Sequence, residues 1–175
     1  KPHTPQLLRW VYGQKREALS CKFRNKKPNS RALTSNLVIR KEIALSNPFP
    51  ESVSDYGYED LSFLSNLGQQ NITVFHIDNP TFHLNLETST QFLTKTEIAL
   101  QNLVLLIQTN RIKPNESKII ATFLWVKKLH LIQLTAWFFQ QTKTVTTKNL
   151  LSDNPSLLLF DWYKLGYLCL LQTLK

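Results

Sequence analysis

Apolar residues recur along this chain in two rhythms. Before about Thr90 the apolar runs are short and are broken by proline, glycine and asparagine; after it they return at helical spacing. Residues 5–19 (PQLLRWVYGQKREAL) predict a helix, with Pro5 in the first turn and Leu7, Leu8 and Val11 on one face; Gly13 weakens its middle. Residues 33–40 (LTSNLVIR) predict a short strand carrying Leu33, Leu37, Val38 and Ile39. Residues 41–46 predict a turn of helix, ended by Asn47-Pro48-Phe49-Pro50 because two prolines cannot continue it. Residues 58–67 (YEDLSFLSNL) predict a helix with Leu61, Leu64 and Leu67 inward and Gly68 as the stop. Residues 71–77 (NITVFHI) predict a second strand, which Asp78-Asn79-Pro80 breaks.

In residues 90–109, Leu93, Leu100, Leu103, Val104 and Ile107 fall at three-, four- and seven-residue steps, the signature of an amphipathic helix. Pro114 separates it from a second helix near 116–141. A third, near 155–174, follows Asp153-Asn154-Pro155, with Asn154 as N-cap and Pro155 at the first position. The organisation expected is a mixed region over 1–89 and a helical extension over 90–175, without internal repeats.

Composition narrows the class. The 175 residues are 42% apolar and 19% charged, which is globular and not disordered. No window reaches the roughly 18 consecutive apolar residues of a membrane span, and no signal-peptide pattern opens the chain. Cys21 and Cys169 are far apart and fit no metal spacing, so a reduced, cytoplasmic setting is expected. The net charge of +9 is concentrated: residues 1–50 hold 11 Lys/Arg and 2 Asp/Glu, while residues 51–175 hold 10 of each. Lys22, Arg24, Lys26 and Lys27 read either as a solvated basic loop or as an attractor of phosphates.

The string with most chemical content is Tyr56-Gly57-Tyr58-Glu59-Asp60-Leu61. A glycine loop opens a helix with two carboxylates in its first turn, where the positive end of the helix dipole favours ionised side chains. Such carboxylates are either dipole partners only, or a base able to take a proton from a hydroxyl within hydrogen-bond reach.

Neighbouring strings form one ordered series: Asn36-Leu37-Val38-Ile39-Arg40-Lys41-Glu42, Pro48-Phe49-Pro50-Glu51, Tyr56 to Phe63, and Ile77-Asp78-Asn79-Pro80-Thr81-Phe82-His83. The series resembles the second half of bacterial family 2 glycosyltransferases. Arg9 to Gly13, Phe92 to Glu97 and Leu159 to Leu165 are similar to flanking parts of such enzymes. The resemblance implies an α/β fold, a partial GT-A-like (Rossmann-like) mixed sheet with flanking helices, followed by the helical block. It implies inverting transfer of a sugar from a nucleotide-sugar donor to a glycan or lipid-linked acceptor. Asp60 matches the general base and Glu59 its neighbour that holds acceptor hydroxyls. Asn36, Arg40, Tyr56, Gly57 and Tyr58 match acceptor or donor contacts. His83 matches a ligand for a divalent metal (Mn²⁺ or Mg²⁺) or for the diphosphate; read without the resemblance, it is a loop histidine bonded to backbone. His76 reads as a half-buried sheet histidine. No Asp-x-Asp occurs, so the resemblance places the nucleotide-binding half outside this chain.

Two readings without catalysis stand beside this one. The basic first 50 residues, interleaved with Trp10, Tyr12 and Phe23, suit nucleic acid, but no RNA- or DNA-binding motif accompanies them and nucleic acid is not expected as a partner. Aromatics of the late helices, among them Trp125, Trp137 and Phe138, suit either helix packing or contact with the inner face of a membrane.

Overall fold

A computed structural model describes residues 4–49, 57–109 and 117–173 of the chain. Among these residues there is no β-strand; the architecture is helical throughout. The expected α/β fold with a partial GT-A-like mixed sheet is therefore corrected to all-α. The elements are α1 (Leu7–Tyr12), α2 (Cys21–Arg24), α3 (Lys41–Ser46), α4 (Glu59–Gln69), α5 (Ser89–Gln108), α6 (Lys118–Lys128), α7 (Ile132–Leu150) and α8 (Leu157–Thr173), with short 3₁₀ turns at Thr4–Gln6, Asn29–Arg31 and Thr34–Asn36. At Gly13 the first helix widens into a π-helical turn, Gly13–Glu17.

The two predicted strands fail for different reasons: a 3₁₀ turn at Thr34–Asn36 interrupts 33–40, and 71–77 has no strand to pair with among the described residues. Leu33 and Leu37 do have extended dihedrals, near φ −121° and −126°, but extended backbone becomes a strand only through a ladder. Along residues 72–77, burial alternates strictly, with Ile72, Val74 and His76 turned in and Thr73, Phe75 and Ile77 out. The ladder partner is replaced by asparagine side chains. Asn29 donates to the Ile72 carbonyl at 2.8 Å and accepts from the Val74 amide at 3.1 Å. Asn25 accepts from the His76 amide at 3.0 Å and donates to its carbonyl at 2.9 Å. Ile72 and Val74 pack with Phe63, Leu64 and Leu67 of α4, and Leu37, Ile39 and Ile43 close the same small core.

The larger core is built around α8. Its sequence is apolar on nearly every side, the mark of a helix enclosed by others. Phe160 and Tyr163 join Leu8 of α1, Leu93 of α5, and Phe139 and Leu150 of α7. Leu168 and Cys169 join Val104 of α5, Phe123 and Val126 of α6, and Ala136 of α7. The polar residues of α8 are paired: Asp161 meets Arg16 at 2.7 Å and Lys164 at 2.9 Å, and the Tyr163 hydroxyl donates to Glu97 at 2.5 Å.

Boundaries show local chemistry overriding the pattern. Thr88 and Gln91 form a reciprocal capping box that starts α5. The helix expected over 116–141 is two helices, because the chain turns at Leu129–Leu131 with His130 at φ +57°. Ser156, not Asn154, caps α8, its hydroxyl accepting from the Leu159 amide at 3.4 Å. Gly68 lies inside α4, against Asn29, and does not end it.

Two tests follow from this packing. Gly166 faces Phe139 so closely that an added Cβ would overlap the ring and its Cβ. Phe139 is fully buried and held edge-on by Tyr163 at 5.3 Å, so the ring has nowhere to move. Helix propensity favours alanine by about 1 kcal/mol, whereas overpacking costs about 1–3 kcal/mol. Gly166→Ala is expected to lose net stability in urea unfolding; a variant at least as stable as the parent contradicts the α7–α8 interface. Burial pushes the Cys169 thiol up to about 11, while half-buried Cys21 donates to the His76 carbonyl at 2.8 Å and accepts from Asn25 at 3.4 Å. A thiol reagent at mildly alkaline pH is expected to label Cys21 in the native protein and to reach Cys169 only after unfolding.

Candidate functional site

The turn at Gly57–Asp60 joins the two cores. Gly57 has φ +108°, a conformation open to glycine, and its missing side chain lets the backbone lie directly on Ala99 of α5. Tyr58 follows in the left-handed region at φ 65°. Its ring leaves α4 and packs with Leu61 against Leu100, Leu103 and Leu106. Burial, chiefly, pushes its hydroxyl well above the usual tyrosine range, so it stays protonated at all working pH values.

Both polar groups of Gly57 are held. Its carbonyl accepts from Asn102 Nδ2 at 2.5 Å, and its amide donates to Glu59 Oε2 at 2.6 Å. Glu59 thus closes the turn. Asp60, one residue on, is half-buried in the first turn of α4 and makes no hydrogen bond or ion pair among the described residues. One carboxylate is structural and its neighbour is left uncommitted at the positive end of a helix.

The other expected site residues are placed as follows. Asn36 lies in a 3₁₀ turn and donates to the Asn79 carbonyl at 3.3 Å, tying the two loops together. Arg40 is exposed immediately before α3. His83 is exposed in the irregular run before α5. Tyr56 lies outside the described residues. Among the described residues no hydrogen bond or ion pair connects Asn36, Arg40 or His83 to Gly57–Asp60. His76 is buried but not in a sheet: its Nε2 lies 2.9 Å from the Pro28 carbonyl.

No three His, Cys, Asp or Glu side chains gather among the described residues into a group that could hold a metal ion. The basic first segment is also partly consumed by its own fold. Arg9 pairs with Glu17 at 2.9 Å, Arg16 pairs with Asp161, and Arg31 stacks on Phe23 with its guanidinium carbon 3.9 Å from the ring centre. Neither Glu59 nor Asp60 lines either of two open clefts among the described residues. One of about 170 Å³ is bordered by Leu37, Ile39, Asn47 and Phe63; the other, of about 390 Å³, by Phe138, Val145, Leu159 and Trp162.

Asn102 was not singled out by sequence reasoning. Its signal is a polar residue beside Leu103 and Val104 on a buried helix face, which demands a partner. Asn25 and Asn29 read as turn formers; nothing local shows that their amides would serve a distant segment.

Compared with family models, curated proteins and solved structures, the chain matches none.

The geometry at Gly57 makes a sharp prediction. Gly57→Ala places a side chain into Ala99 and imposes a strained φ, for a combined loss of about 2–4 kcal/mol. Gly13 is the control: it is helical at φ −55°, and the atom nearest an added Cβ is the far end of the long Arg9 side chain at 3.2 Å, which has only a few tenths of an ångström to give. Gly13→Ala is expected to be neutral or stabilising by up to about 1 kcal/mol. Equal effects at both positions in denaturant titrations would rule out the described turn.

Proposed function

We propose that this chain provides the acceptor side of an inverting sugar transfer of the family 2 glycosyltransferase type, with Asp60 as general base. The observation that carries the reading is the division of labour in the turn: Glu59 is bound to the Gly57 amide, whereas the adjacent Asp60 carboxylate has no partner among the described residues. It agrees with the ordered strings around Gly57–Asp60 in the sequence. It does not draw on a mixed sheet.

In this reading an acceptor hydroxyl docks against Asp60. Its oxygen bonds to the anomeric carbon of the donor as its proton passes to the Asp60 carboxylate. The anomeric carbon–oxygen bond to the diphosphate breaks on the opposite face, and the electron pair leaves with the nucleoside diphosphate. The anomeric centre inverts. Glu59 acts as a positioning residue, because it fixes the backbone from which Asp60 projects.

The test is transfer by this chain joined to the nucleotide-binding half that the resemblance implies, from a panel of nucleotide sugars to glycan and lipid-linked acceptors, followed by release of nucleoside diphosphate. Asp60→Asn keeps the shape and removes the base, so turnover is expected to fall by about 10² to 10⁴-fold with acceptor binding retained. Transfer by the Asn variant at the parental rate, or no transfer by the joined parent with any donor, refutes the reading.

A further inference from the structure

The corner between α6 and α7 carries a group of exposed apolar side chains that the folded core does not explain. Trp125 lies one turn before the corner, Leu129 and Leu131 within it, and Leu134, Trp137 and Phe138 on the first turns beyond. Trp125 is 63% exposed, Leu134 60%, Trp137 56% and Phe138 51%. Inward residues of the same helices, Ile120, Phe123, Val126, Ala136 and Phe139, are buried, so the outward stripe is a second apolar face. On α7 it runs on through Val145, at the edge of the open cleft bordered by Leu159 and Trp162.

The charge of this region has one sign. Residues 117–152 hold five lysines and no Asp or Glu. Lys143 is engaged with Glu97 at 3.5 Å. Lys118, Lys127, Lys128 and Lys148 are exposed and in no ion pair among the described residues. Two tryptophans and several leucines flanked by unpaired lysines make the composition of an interfacial helix, whose apolar side enters the headgroup layer while cations meet lipid phosphates.

We propose that the α6–α7 corner docks on an anionic lipid surface. The inference is independent of the sugar-transfer reading. No single described helix is long and apolar enough to cross a bilayer; α6 and α7 reach that length and composition only as a pair bent by 118°, and carbonate extraction separates a broken span from a surface contact. A second copy is a poorer occupant, because a two-fold interface sets the patch against itself and brings unpaired lysines together. Nucleic acid would leave Leu129, Leu131 and Leu134 uncovered, since aliphatic side chains offer bases no stacking surface.

The experiment is co-sedimentation of the chain with phosphatidylglycerol–phosphatidylcholine vesicles and with pure phosphatidylcholine vesicles. Binding is expected only to the anionic vesicles, weakening with added salt and lost on carbonate extraction. Trp125→Ser/Trp137→Ser should abolish it, and both residues are exposed enough for the variant to fold, as circular dichroism would verify. Lys127→Gln/Lys128→Gln is expected to reduce partitioning about fivefold per lysine removed. Asp60→Asn should bind as the parent does, so failure of the lipid surface and failure of the transfer chemistry are read separately. Equal binding to neutral vesicles, no binding at all, carbonate-resistant insertion, or a lipid-free dimer that the tryptophan substitutions dissociate would each overturn the proposal.

Discussion

An extended backbone buried on one side must have its amides and carbonyls paired, and the way this chain meets that demand shapes the whole smaller core. An asparagine side chain carries the same donor and acceptor as a peptide group. Asn29, bridging the carbonyl of Ile72 and the amide of Val74, occupies the place of one residue in a parallel ladder. Asn25 exchanges both bonds with His76, as an antiparallel neighbour would. Leaving one such group unpaired costs about 1–3 kcal/mol, so these two side chains decide whether Ile72 and Val74 can rest on α4 at all. A third asparagine extends the same logic: Asn47 is buried, donates to the Ile43 carbonyl, and accepts from Gln70 at 2.6 Å, fastening α3 to α4.

That solution covers only one face. Phe75 is 80% exposed and Val38 98%, although both lie in segments with strand-like composition. Apolar residues on both faces are characteristic of strands enclosed in a sheet. Here the inward face has α4 and the outward face has solvent. The sequence reading of a sheet thus rested on a correct perception of two-residue alternation in 71–77. It failed on the separate question of what pairs with the backbone, which is a long-range property that no local window contains.

The helical part was legible for the opposite reason. Leu93, Leu100, Leu103 and Val104 announce α5 by spacing alone, and all four are buried. Spacing does not, however, reveal a corner. The run from Lys118 to Leu150 has continuous helical rhythm, and only the left-handed His130 divides it. Nor does spacing separate an inward aromatic from an outward one: Phe138 and Phe139 are adjacent, and one is half exposed while the other is wholly buried. Gly166 decides which, because it opens the slot that receives Phe139. In the candidate site, Glu59 and Asp60 were visible from their place after a glycine. Their unequal roles were not, because these depend on a backbone amide folding back at Gly57.

Among the described residues, the two cores meet at the start of α4. Gly57 rests on Ala99, Asn102 holds the Gly57 carbonyl, and Tyr58 reaches into the α5 core. These contacts fix the start of α4 relative to α5, and with it the direction from which Asp60 can be approached. Preorganisation of this kind is inexpensive to build and sensitive to loss, since a displacement of about 1 Å is enough to cost a hundredfold in a proton transfer that depends on near-contact geometry. The α6–α7 corner is tied to the turn less directly. Its own packing runs through Val104, Phe123, Val126 and Ala136, and it meets Tyr58 and Leu61 only by way of Ile119, Ile120 and Leu124 nearer the start of α6. A change at Gly57 therefore acts first on Tyr58 and the start of α4, and reaches the outward face of α6 and α7 only through that shared cluster.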